Sequence, residues 1–202
     1  MKKNKIWIFK STKQMIVSII LFCLFMWGFI YFGSKDYKVN EISDSEKFVS
    51  EHKEVVEDNI FSYINSSDAY TYVRQEDVLL LFGIRNSDWV GYYANILNEV
   101  AKEVGISKIY YYDITDDRND ANATYESIVY YLDDYVTHLD DGKVNLYGPT
   151  LLIKKDGVIT YFDDETAIIK GTLSAEEYWN NYQINLKKAN LKVALQDFMG
   201  SE

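Results

Sequence analysis

Side chains capable of covalent or metal chemistry are scarce in this chain. It has one cysteine, Cys23, and two histidines, His52 and His138. Cys23 sits in an apolar run with no second thiol to pair with, so the chain alone forms no redox pair and no internal disulfide. Neither histidine stands at metal-ligand spacing, so both are expected on the surface and no metal or cofactor is expected. Asp113-Ile-Thr-Asp-Asp-Arg-Asn-Asp120 has the carboxylates of a calcium loop. However, Arg118 stands where that loop needs its sixth-position glycine, and Thr124 where it needs its twelfth-position glutamate. A solvated acidic loop is the expectation. Ser87 opens a helical pattern, where a nucleophile is often found, but the sequence places no base near it. The expected role of Ser87 or Asp88 is N-capping, which stabilises by about 1 kcal/mol.

The elements around Ser87 follow from periodicity. Val78–Gly83 is a continuous apolar run, as expected of a strand buried on both faces. From Trp89 the apolar residues recur as Trp89, Tyr93, Ile96, Leu97 and Val100, one helical stripe, and Gly105 ends it. Lys108–Ile114 is tyrosine-rich and β-favouring. Strand, helix and strand in this order imply a parallel pair with a right-handed crossover. A helix is expected over Thr124–Leu132. Pro149, the only proline, heads Thr150–Lys155, and Asp156-Gly157 between two apolar runs is a hairpin signal. Ser174-Ala-Glu-Glu177 is a capping box, and the helix it opens is expected to bury Tyr178, Tyr182, Leu186, Ala189 and Val193.

The amino terminus differs from the rest. Residues 1–13 form a basic tail with five lysines and no acid. Residues 14–34 are uncharged and mostly apolar, long enough for the ~20 residues that cross a bilayer as a helix. No small-x-small cleavage site follows, so a retained signal anchor is expected, with the tail in the cytoplasm and the remainder outside the membrane. Residues 35–58 are polar and are expected to form a stalk holding a short helix; one domain is expected over 59–202. The whole chain carries −10 and its first 34 residues +5, leaving −15 on the remainder. That balance argues against nucleic acid, whose phosphates need cationic partners. Without cysteine, the outer domain depends on a hydrophobic core for its stability.

The element order βαβ–α–ββ–α, with Gly148-Pro149-Thr150 at the head of the hairpin, resembles the thioredoxin-like fold, a central mixed sheet flanked by helices. Phe82-Gly83, Trp89, Ile96-Leu97, Ile109-Tyr-Tyr-Tyr-Asp113 and Lys155-Asp-Gly157 extend the resemblance to membrane-anchored, bacteriocin transport accessory-type proteins of Gram-positive bacteria. It covers roughly residues 60–195. It implies a cis proline at Pro149 and a Cys-Pro-Trp-Cys motif where this chain has Ser87, Asp88, Trp89 and Val90. Both motif cysteines are therefore replaced.

The resemblance also implies a shallow peptide-binding groove formed by Trp89, Gly148, Pro149 and Thr150, in which an extended chain would pair with backbone. The expectation is a single-pass, redox-inactive binding or accessory module of the cell membrane, serving peptide export or a polypeptide client. The alternatives are a thiol–disulfide oxidoreductase borrowing a partner's cysteine, and an immunity-type protein.

Overall fold

The computed structural model describes residues 14–22, 42–138, 144–165 and 173–200. The chain divides into two compact units, Met1–Glu41 and Ile42–Glu202. In the first, residues 14–22 are helical. The basic tail, Cys23, the rest of the expected span to residue 34, and residues 35–41 of the expected stalk lie outside the described residues. Among the described residues no helix is long and apolar enough to cross a membrane.

The second unit runs α1 (Asp44–Glu51), β1 (Phe61–Tyr63), α2 (Ser66–Gln75), β2 (Val78–Gly83), α3 (Asp88–Glu103), β3 (Ile109–Asp113), α4 (Thr115–Asn119), α5 (Ala123–Tyr131), β4 (Thr150–Lys155), β5 (Val158–Asp164), α6 (Ala175–Tyr178) and α7 (Asn181–Met199). It is a mixed α/β unit. The five strands form one sheet in the order β1-β3-β2-β4-β5. β1, β3 and β2 are parallel, and β4 and β5 run antiparallel to them. The arrangement is compatible with a thioredoxin-like fold.

The continuous apolar run of β2 has a direct cause. Leu79 and Leu81 join a core with α3 and α7, while Val78, Leu80 and Phe82 join a second core with α2 and α5. A central strand covered on both faces needs apolar residues at every position. The β4–β5 hairpin turns at Asp156 and Gly157, both at positive φ (52° and 78°), the backbone that a two-residue hairpin of this twist demands.

Two expectations change. Residues 42–58 are not a free stalk: Phe48 and Val55 are buried, and Phe48 stacks on Phe61 with ring centroids 4.2 Å apart. Phe48, His52 and Val55 recur at helical spacing, and burying them outweighs the polarity of their neighbours. The carboxy-terminal helix is also broken. Ser174 and Glu177 form the expected capping box, but it opens only the short α6. Asn180 then caps α7, accepting from the N–H groups of Tyr182 and Gln183. The break resets the helical phase. Lys187, Leu191 and Leu195 turn inward, and the expected core residues Tyr182, Leu186 and Val193 are exposed at 72%, 47% and 69%. Ala189 is exposed with them.

Candidate functional site

The carboxyl end of β2 delivers the chain into the start of α3, and the turn before β4 lies against it. The Gly148–Pro149 peptide bond is cis, as the resemblance implies. A Cβ on Gly148 would fall 2.8 Å from the Gly83 Cα and 2.9 Å from the Ile84 nitrogen. Glycine is needed there because backbone meets backbone. A Cβ on Gly83 would in turn strike the Tyr111 ring.

The four motif positions have distinct fates. Ser87 is the N-cap of α3, yet its side chain makes no capping hydrogen bond. This corrects the expected capping role, because the Ser87 hydroxyl satisfies none of the free N–H groups of the first turn. Asp88 is exposed, Trp89 is half-buried, and Val90 is buried in the core. The Trp89 ring lies against Tyr178 of α6, 5.2 Å between centroids. Gly148, Pro149 and Thr150 are all buried. The Thr150 hydroxyl donates to the Tyr147 carbonyl at 2.7 Å. Of the expected groove residues, Trp89 is thus the one that reaches the surface, and the proline turn supports the site from beneath.

The segment that covers the start of α3 comes from residues expected in the stalk. The Asn86 N–H donates to the Glu51 carbonyl at 3.2 Å, with Asn86 held at φ 58°. The Glu54 carboxylate lies against Gly91, where any larger residue would collide with it. His52 is 1% exposed, which corrects the expectation of a surface histidine. Burial pushes its pKa down to about 4, while the Ser87 backbone and the Asp113 carboxylate pull weakly the other way. The imidazole is therefore neutral. Burial raises the Tyr111 phenol well above its usual range, so its hydroxyl keeps its proton, and it shares a hydrogen bond with Nε2 at 3.1 Å. Nδ1 is buried toward the Ser87 backbone without a well-formed hydrogen bond. Beside this pair, the Tyr63 hydroxyl donates to Glu51 at 2.6 Å, and Arg85 pairs with Asp113 at 3.4 Å.

A second polar cluster lies further along the same core. Lys187 of α7 is 7% exposed and reaches Asp163 at 2.7 Å and Glu165 at 2.8 Å. Tyr93 of α3 donates to Asp163 at 2.7 Å, and Tyr178 donates to Glu165 at 3.0 Å. This cluster ties α7 to β5 and α3. Nothing in the spacing of Asp163, Glu165 and Lys187 distinguishes them from surface charges, whereas the Phe48–His52–Val55 stripe was there to be read.

The acidic run at Asp113 is not a loop. Its middle forms α4, Asp113 accepts from the Thr115 N–H at 3.0 Å, and Asp117 accepts from the Tyr112 hydroxyl at 2.6 Å. His138 is on the surface, 3.4 Å from the Asp133 carboxylate. Among the described residues no group of three or more histidine, cysteine or acidic side chains is placed to hold a metal ion. No protein-family model matches the chain, and no curated protein matches it.

Proposed function

We propose that this protein is a membrane-anchored, extracytoplasmic module of the thioredoxin-like kind that binds a polypeptide and performs no thiol exchange. One observation carries the reading. The start of α3, adjoining the cis Gly148–Pro149 turn through β2, holds Ser87 and Val90 at the two positions where the resemblance implies thiols. Exchange needs a thiolate attacking sulfur, and a serine hydroxyl with no resolving partner is no substitute. The strand order and the close approach of Gly148 to Gly83 support the thioredoxin-like assignment. The uncharged run 14–34 behind five lysines supports the anchor and its orientation.

The client contacts Trp89 and the exposed rim at Asn86 and Asp88, with the buried proline turn as support. The link to bacteriocin or other peptide export rests on the resemblance. A photocrosslinking residue at position 89 of the full chain in membranes tests the reading. A polypeptide adduct at 89, absent with the same probe at exposed Val158, is the expected result. Insulin reduction by the purified chain above the uncatalysed rate would overturn the assignment.

A further inference from the structure

Between α2 and α5 the surface holds a cavity of about 580 Å³, lined chiefly by Tyr70 and Arg74 of α2 and by Glu126, Ser127, Tyr130 and Tyr131 of α5. A second cavity, about 490 Å³, adjoins it: Glu126 and Tyr130 line both, and the second adds Arg118 and Asp133. Each is within the ~300–1,000 Å³ of ordinary ligand sites, and together they form a groove across α5.

The chain has three arginines. Arg85 is paired with Asp113 and Asp116. Arg74 and Arg118 join none of the ion pairs among the described residues, and both fall in this groove. Each is held by a tyrosine instead. Arg74 donates to the Tyr70 hydroxyl at 2.8 Å, and the Arg118 guanidinium lies 5.6 Å from the centre of the Tyr147 ring. Most of the N–H groups of Arg74 are left for a ligand. Glu126 shares the first cavity with Arg74 and yet forms no ion pair with it. Tyr130 is 86% exposed and Tyr131 41%, so ring faces are bare. At the rim of the second cavity the backbone is strained: Ala121 has φ 49°, which a residue with a Cβ and no polar side chain rarely adopts. Such outliers gather at ligand sites.

The lining selects among occupants. It carries two guanidiniums and two carboxylates, so neither an acidic nor a basic chain is drawn to it. An apolar helix would bury Arg74 and Glu126 without partners. A proline-rich segment suits tyrosines, but proline has no N–H to give Glu126. A sugar meets each requirement. The C–H bonds on a pyranose face are attracted to the electron-rich face of a tyrosine. Its hydroxyls both donate and accept, so they serve carboxylate and guanidinium alike. We propose that the groove across α5 is a carbohydrate site, taking a neutral oligosaccharide whose rings lie on Tyr130 and Tyr131 and whose hydroxyls bond Arg74 and Glu126.

The test is titration calorimetry on the full chain, in a detergent without a sugar head group so that the detergent does not compete. The probes are cellohexaose, maltohexaose and chitohexaose. At least one is expected to bind, and Tyr130→Ala and Arg74→Met are each expected to weaken it about tenfold, the scale of one aromatic or polar contact. Both side chains are exposed, so their loss leaves the fold intact, and an unchanged urea midpoint checks this. Tyr182→Ala, at a comparably exposed tyrosine of α7, is expected to leave binding unchanged. If none of the three sugars binds, or binding survives Tyr130→Ala, the proposal is overturned. Tighter binding of hexagalacturonate, hexalysine or a proline-rich decapeptide than of any neutral sugar overturns it as well.

Discussion

At the start of α3 the protein buries His52; about one turn further on, around Tyr93, it buries Lys187 with Asp163 and Glu165. The imidazole gives up its charge, its pKa falling to about 4, and one ring nitrogen is left without a well-formed hydrogen bond. The lysine is surrounded by carboxylates, which in turn accept from two tyrosines. The difference follows from the groups themselves. Histidine sheds its proton near neutrality at small cost, whereas lysine, with an ordinary pKa near 10.4, is cheaper to pair than to neutralise. The neutral site lies under the motif positions and the paired site lies away from them. The Lys187 cluster fastens α7 to β5 and α3, whereas His52 sits under Ser87 with its nearest carboxylate, Asp113, paired to Arg85.

Removing the cation breaks this comparison most severely. Lys187→Met leaves Asp163 and Glu165 buried without their counter-charge, and such an uncompensated site costs about 3–5 kcal/mol. Urea unfolding of the variant is expected to show a loss of that size. Adding Asp163→Asn to Lys187→Met should recover part of it, because one orphaned charge disappears. A loss within about 0.5 kcal/mol would place the cluster effectively at the surface, where ion pairs contribute little.

His52 gives a pH-dependent counterpart. In the unfolded chain it titrates near 6.5 and in the folded chain near 4. Between those values the unfolded state holds more protons, so stability falls as pH falls through this window. The contribution is about 3 kcal/mol, fully present above pH 6.5 and lost by pH 4. His52→Phe removes the titration and leaves the acidic residues in place. Denaturation midpoints of native and variant chains should therefore converge or cross as pH drops over this window. Parallel curves would mean that the imidazole is solvated.

Much of the sheet was legible because burial on both faces writes itself into β2 as an unbroken apolar run, and the Asp156-Gly157 turn has its own chemistry. The cis bond at Pro149 was implied by resemblance and is present. Two stretches misled for physical reasons. Residues 42–58 are polar on average, and an average hides the Phe48–His52–Val55 stripe that pulls them over the site. In the carboxy-terminal helix, Tyr182, Leu186, Ala189 and Val193 form the more regular apolar stripe, but the cap at Asn180 set a phase that the pattern does not carry. The Lys187 cluster was hidden because charged residues on β5 and α7 normally signal a solvated edge. Its burial depends on tertiary packing that brings Tyr93 and Tyr178 to the carboxylates.

The smallest effect concerns Ser87, and it decides how the start of α3 is read. Its hydroxyl makes no capping bond, whereas Asn122 and Asn180 each accept from two N–H groups at the starts of α5 and α7. Asn122→Ala and Asn180→Ala should each cost about 1 kcal/mol, while Ser87→Ala should stay within about 0.5 kcal/mol. Chemical denaturation of the three variants under one condition makes the comparison internal. If Ser87→Ala costs as much as the asparagine variants, the hydroxyl is a cap, and the serine is explained by the helix start it stabilises. If it costs nothing, the first turn of α3 keeps its N–H groups unclaimed by the residue that heads it, and their partners must come from solvent or from a bound chain.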